Sequence, residues 1–186
     1  MTWGTRGGSF PARVSLSGLG LHLREWTDAD LPVMTALFDD PEVARWTPLA
    51  SPFDLRAARA YLARARQARA EGRGLHLAIT AGGEQARGEI LFYRAGEAGQ
   101  DAELAYAIGA CCRRQRLAVR AVTMMTGYAC GTLAMNRVIL RVDPANQAGV
   151  ALAEAAGFSL TAADPVIRER RGRRETLLTW SHGTTG

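Results

Sequence analysis

The sequence contains no lysine. All 23 of its basic residues are arginine, so neither Schiff-base chemistry at a lysine nor a lysine-bearing phosphate loop is available. Alanine, glycine and arginine are all abundant, which makes a coding bias toward GC-rich codons the simplest account. Cysteine is scarce too. Cys111, Cys112 and Cys130 form an odd set with one adjacent pair and no C-x-x-C spacing, a poor framework for disulfides or zinc. The three histidines, His22, His76 and His182, are far apart. A metal site is therefore not expected, and the cytoplasm is the default compartment. No window approaches the roughly 18 apolar residues of a spanning helix, and Met1 to Ser9 is polar and Gly-rich, without the apolar core of a secretory signal.

What remains is a globular composition over 186 residues, 47% hydrophobic and 22% charged. That length suits one domain and buries about two-thirds of the unfolded surface, enough for a core without a staple. The net charge of +5 is spread along the chain. It can draw an anionic ligand, but no aromatic residues interleave the arginines as a nucleic-acid surface requires.

Periodicity organises the chain as β–α–α–β–β–β–α–β–α–β–β. Residues 1–13 read as a flexible tail and 14–186 as a single domain with no linker or repeat. Alternation over 14–26 predicts a first strand. Thr27 with Asp30 three positions on forms a capping box for a helix from 28 to about 38, ended by Asp39-Asp40-Pro41. Ser51 as cap, Pro52 at the first helical position and Asp54 at the third predict a second helix running to Glu71. Its arginines (Arg56, Arg59, Arg64, Arg66 and Arg69) read as a solvated face. Strands follow at 75–80, 88–94 and 103–108, with the Gly-containing turns of antiparallel hairpins. A helix over 117–133, a strand at 138–142, an Ala-rich helix over 146–156 closed by Gly157, and strands at 158–160 and 175–180 complete the order. The strand–helix–strand unit from 103 to 142 requires a crossover, so its two strands run parallel.

The turn between Ile108 and Leu117 stands out. The first amides of the helix that starts there have no internal partners and carry the positive end of its dipole. Such a terminus can hold a phosphate, and Arg113, Arg114 and Arg116 flank Gln115 beside it. On the residues alone it is either an anion site or merely a basic turn.

Three stretches together resemble a known family. They are Glu103-Leu-Ala-Tyr-Ala-Ile-Gly109 followed by Arg113-x-x-x-Leu117-Ala118; Val142-Asp143-Pro144-Ala145-Asn146 through Ala156-Gly157-Phe158; and the opening Leu23-Arg24-Glu25-Trp26-Thr27-Asp28-Ala29-Asp30-Leu31 with Asp40-Pro41-Glu42-Val43. In order and spacing they are similar to the GNAT acyltransferase superfamily, in the branch of the ribosomal-protein N-terminal acetyltransferases, over about residues 14–181.

The resemblance implies an α/β (mixed α+β) fold: a mostly antiparallel twisted sheet of about six to seven strands, one splayed parallel pair, and about four helices. It implies acetyl-CoA or another acyl-CoA as co-substrate, no metal, and direct transfer to a primary amine on a protein, peptide or small molecule. A homodimer is left open. Carried over by position, Glu103 is the candidate general base. Ile108, Arg113, Arg114, Gln115, Arg116, Leu117, Ala118 and Asn146 are the candidate cofactor-binding residues. Arg113 matches the first and Ala118 the last position of the family's Arg/Gln-x-x-Gly-x-Gly/Ala pattern.

The departures are specific. Arg116 stands where the pattern has its internal glycine, and Arg114 where a second is often found. Gly149 replaces the hydroxyl expected three residues after Asn146, and Ala153 the tyrosine of other branches seven residues after it. These changes keep open an alternative, a catalytically silent protein of the same fold that binds acyl-CoA or a partner. The adjacent Cys111 and Cys112 are a further candidate, since nearby positive charge lowers a thiol pKa. Trp26, Trp46 and Phe53 are candidates for core packing or an acceptor wall.

Overall fold

The computed structural model describes residues 10–183. Nine strands form one sheet, and its order places β5 (Asp101–Ile108) beside β6 (Val138–Val142) as the parallel pair. All other pairings are antiparallel. β1 (Ser15–Gly18), β2 (Leu21–Glu25), β3 (Gly74–Thr80) and β4 (Ala86–Ala95) lead up to β5. β9 (Arg173–His182) follows β6 and pairs with both β7 (Ser159–Leu160) and β8 (Val166–Arg170).

Alternation along the strands divides the core in two. Ile90, Phe92, Leu104, Val138 and Leu140 pack on one face beneath α4 (Leu117–Gly131) and α5 (Gln147–Ala155). Ala78, Ala86 and Ala107 lie on the other face beneath α1 (Leu31–Phe38), α2 (Pro41–Trp46) and α3 (Leu55–Ala70). Small side chains on that second face let the helices approach closely. An edge-to-face run of Trp26, Phe38, Phe53 and Tyr61 fills the space above them.

The predicted order holds, with four differences. The first strand is a hairpin: Leu19 (φ 49°) and Gly20 (φ 71°) make a turn between β1 and β2 with both central residues left-handed, the geometry that matches strand twist. Asp40-Pro41 ends one helix but also begins another. Asp40 Oδ1 accepts from the amides of Glu42 and Val43, so α2 starts where only a stop was expected. α3 starts later than predicted. Asp54, not Ser51, is its cap and accepts from the Ala57 amide at 2.8 Å. Residues 51–53 stay outside the helix because Phe53 is buried and its amide donates to Asp39. Finally, β8 is a strand where the sequence placed none, and it pairs with β9 across a turn at Arg171 and Gly172, both left-handed.

Residues 1–9 of the expected tail lie outside the described residues. From Phe10 onward the chain is packed: its ring meets Phe92 edge to face at 5.8 Å, and Arg69 donates to the carbonyls of Pro11 and Ala12. Among the described residues no helix is long and apolar enough to cross a membrane, and no cluster of His, Cys, Asp and Glu is placed to hold a metal.

Candidate functional site: the gap between β5 and β6

The parallel pair holds together only at its start. Ala102, Glu103 and Leu104 match Val138, Ile139 and Leu140, and the register ends there although β5 continues to Ile108. The Ala102 amide donates to Arg137 on the β6 side, whereas the Gly109 amide donates to Arg87 on the β4 side. Amides alternate along a strand, so those of Tyr106 and Ile108 face the gap that opens beyond Leu104. This places Ile108 at the mouth of a cleft with an outward-facing donor.

The loop from β5 into α4 borders the same gap. Arg114 (φ 61°) and Arg116 (φ 55°) are both left-handed. These are the two positions where the pattern has glycine. Arginine could stand there in an ordinary right-handed or extended conformation. Instead the loop takes the path natural to glycine, at about 1–2 kcal/mol for each residue with a Cβ. Strain of this size persists where the surrounding structure over-determines it, and it clusters at ligand-binding turns. Arg114, Gln115 and Arg116 are exposed. The first helical bond runs from Arg120 to Arg116 at 3.2 Å, so the amides of Leu117, Ala118 and Val119 precede it and point out of the helix start.

The loop's arginines play different parts. Arg113 is turned away from the helix start: its guanidinium reaches Asp40 and Glu42 at 2.6 Å each, and its Nε reaches the Ile108 carbonyl at 3.4 Å. Of the three arginines expected beside the amides, Arg113 is thus engaged elsewhere, while Arg114 and Arg116 are exposed. Gln115 accepts from Arg87 at 3.1 Å. Arg120, which the sequence did not single out, ties the loop to the β1–β2 turn through the carbonyls of Leu19, Gln115 and Arg116.

Asn146 lies across the gap, after β6. Its side chain caps α5 by accepting from the Gly149 amide at 3.0 Å. A Cβ at Gly149 would meet Asn146 Nδ2 and Val142 Cγ1 at 3.0 Å, and Ala153 is fully buried. Packing therefore closes both positions where a hydroxyl was looked for.

Glu103 points from the opposite face of β5, toward the layer of α1–α3. It lies between two guanidinium groups, Arg141 Nε and Arg168 Nη2, each at 3.7 Å. Tyr106 packs instead with the core under α4, and burial pushes its hydroxyl up to about 12. The tip of the β8–β9 hairpin closes the Glu103 side. Arg170 donates to the carbonyls of Ala44, Arg45 and Thr47, and Arg171 to those of Ala44 and Leu49. The hairpin is thereby fastened to the end of α2, beside Trp46. Nothing in the sequence signalled this contact, because its partners are backbone carbonyls far away in the chain.

The thiols of Cys111 and Cys112 lie 3.2 Å apart. Burial, followed by the hydrogen bond with Cys111, pushes the Cys112 thiol up against a smaller opposing pull from Arg87. A thiol shifted this way is a weaker nucleophile at neutral pH.

Solved structures share this fold. An acetyltransferase of the GNAT family from Bacillus anthracis superposes with a TM-score of 0.79 at 14% identity, covering 91% of this chain and 98% of its own. RimJ from Mycobacterium smegmatis, in complex with CoA-disulfide, gives 0.75 at 18%, covering 87% and 81%. The ribosomal-protein-S5-alanine acetyltransferase from Vibrio fischeri gives 0.76 at 14%, covering 92% and 97%. No curated protein matches the chain in sequence. The family model for the acetyltransferase (GNAT) domain matches residues 20–159. With a match over well more than half its length, and strands that part beside a left-handed turn, the chain belongs to the GNAT acetyltransferase family.

Proposed function

We propose that the protein is an N-acyltransferase that moves an acyl group, acetyl by default, from acyl-CoA directly to a primary amine. The observation that carries this reading is the parting of β5 from β6 after Leu104, with the amides of Tyr106 and Ile108 facing the gap beside the Arg114–Arg116 turn. In this reading the diphosphate of CoA rests on the amides from Arg114 to Ala118, with the guanidinium groups of Arg114 and Arg116 near it. The acyl-bearing arm lies along β5, and Asn146 holds the far wall.

Glu103 takes a proton from the incoming ammonium group, directly or through water. The amine nitrogen then attacks the thioester carbonyl carbon, and a β5 amide facing the gap supports the oxyanion. The C–S bond breaks, the electron pair leaves on the CoA sulfur, and the proton that the acylated nitrogen loses reaches that sulfur through water because neither Gly149 nor Ala153 offers a relay. The name of the V. fischeri neighbour, a ribosomal-protein-S5-alanine acetyltransferase, favours an amine of a protein or peptide, the α-amine first, as acceptor. An amine on a smaller molecule is the second candidate.

A catalytically silent reading has its own observation, the closed packing at Gly149 and Ala153. One pair of measurements separates the two. Calorimetric titration with acetyl-CoA and CoA tests binding, and thiol release over a panel of amines and amino-terminal peptides tests transfer. The transferase reading expects both, and expects Glu103→Gln to lower kcat by about 100-fold or more while acetyl-CoA affinity changes little. Binding without release for any amine would favour the silent reading. Equal turnover in the variant would remove Glu103 from the mechanism.

A further inference from the structure

We propose that the acceptor amine carries an anionic group, a carboxylate or a phosphate, and that Arg168 and Arg141 bind that group beside Glu103. This rests on the amine-transfer reading above and names the class of its acceptor.

The argument starts from charge. One carboxylate, Glu103, faces two guanidinium groups, so this cluster carries one positive charge in excess. Both contacts are 3.7 Å long, beyond hydrogen-bonding distance. Glu103 is thus flanked by the two cations but clamped by neither.

Donors remain available on both arginines. Arg141 gives Nη1 to Thr179 Oγ1 at 2.6 Å, while its Nε is buried with no hydrogen-bond partner among the described residues. Buried polar groups are normally paired, so this donor beside Glu103 keeps hydrogen-bonding capacity that no described residue fills. Arg168 is 54% exposed along its side chain and reaches in from β8.

The neighbouring arginines are placed differently. Arg113 is engaged by Asp40 and Glu42, and Arg170 by Glu175 and the α2 carbonyls. That anchoring fixes the hairpin and therefore where Arg168 stands. A fixed pair of guanidinium donors with unfilled capacity suits a carboxylate or phosphate.

The geometry also limits the distance. With direct hydrogen bonds of about 2.8 Å at each end of the 3.7 Å Glu103–Arg168 contact, and no water between Glu103 and the amine, amine and anion lie no more than about 9 Å apart. This span covers an amino-terminal residue followed by an acidic one, and also an amino-alkyl phosphate.

The test is thiol release by the full chain with acetyl-CoA and two matched pairs. One pair is a seryl-aspartyl peptide amide against its seryl-asparaginyl counterpart. The other is O-phosphoethanolamine against ethanolamine. In at least one pair the anionic member should have a kcat/KM at least tenfold higher at low salt, with the advantage shrinking as salt rises. The pair that responds identifies the source of the anion. Arg168→Gln should cut that advantage at least fivefold, mainly through KM, and Arg168→Lys should retain part of it. Equal use of both members in both pairs would overturn the proposal, as would a loss in Arg168→Gln that falls alike on charged and neutral acceptors.

If no amine releases thiol, the transfer reading fails, and calorimetric titration of the CoA-bound protein with the two anionic probes decides alone. Binding that Arg168→Gln abolishes would sustain the anion site, and absence of binding would end it.

Discussion

A single carboxylate oxygen of Asp40 joins the loop at the head of α4 to the helix on the opposite layer. Oδ1 receives the Arg113 guanidinium at 2.6 Å while capping α2 through the amides of Glu42 at 3.0 Å and Val43 at 2.9 Å. The turn proposed to hold CoA and the helix that borders the acceptor side therefore share one anchor. Asp40→Ala should lower stability by about 1–2 kcal/mol from the lost cap, and should raise KM for both acetyl-CoA and the amine. Denaturant unfolding and steady-state kinetics check the two parts.

The same contact sets an acid limit. Burial pushes the Asp40 carboxyl up, but the Arg113 guanidinium and the α2 amides outweigh it and hold the group below its ordinary value. A lowered carboxylate contributes stability above its unfolded value of about 3.9, and that contribution is lost as pH falls through the lower folded value. Thermal unfolding of Asp40→Asn should consequently be less sensitive than the parent to pH below about 4. Equal acid sensitivity would deny the contact this role.

The left-handed turn gives opposite outcomes for two substitutions at one position. Arg116→Gly removes a backbone penalty of about 1 kcal/mol, which should raise Tm by roughly 2–4 °C. Arg116→Val places a β-branched residue where the backbone cannot tolerate it. Its turn should rearrange, and CoA affinity by calorimetry should fall at least tenfold. If the valine variant binds as the parent does, the turn's path is not what holds the diphosphate.

Glu89 is fully buried, accepts the Tyr61 hydroxyl at 2.7 Å, and has its carboxyl pushed up to about 7 by burial, which the Tyr61 hydrogen bond only partly offsets. His76 Nδ1 meets the same hydroxyl at 2.9 Å, and burial pushes its imidazole down to about 4. For Glu89 the raised folded value means a contribution fully present below about 4.3 that is lost as pH rises toward 7. Glu89→Gln should therefore gain stability over the parent as pH rises from 5 to 8. A difference between the two proteins that stays constant across this range would show that Glu89 does not titrate there.

Arg170 fastens the β8–β9 hairpin to α2. Arg170→Ala frees the carbonyls of Arg45 and Thr47 and the Glu175 carboxylate, and leaves the Ala44 carbonyl to Arg171 alone. It should raise KM for the amine several-fold with little change for acetyl-CoA, because the turn proposed to hold CoA lies on the other side of β5. Similar increases in both would mean that the hairpin supports the whole domain rather than the acceptor side.

What the sequence determined by itself was local. Thr27 and Asp30 form their capping box, Asn146 caps α5, and Gly157 is left-handed after it, because each depends on residues within a turn of one another. The parallel pair also followed, since a strand–helix–strand unit closes in one hand. Asp40-Pro41-Glu42 carried a legible helix start as well, hidden because the same residues spell a helix end.

The tertiary structure alone decided the rest. The arginines at 114 and 116 looked like departures from a glycine pattern, yet they take glycine's conformation in an exposed loop tied down by Arg113 and Arg120 through distant partners. Arg113 looked like a phosphate ligand and instead binds two carboxylates far off in the chain. Glu103 gained two cationic neighbours, one from the next strand and one from a hairpin near the end of the chain. Dihedral strain and long-range ion pairs arise from the balance of the whole packed domain, and no window of neighbouring residues encodes that balance.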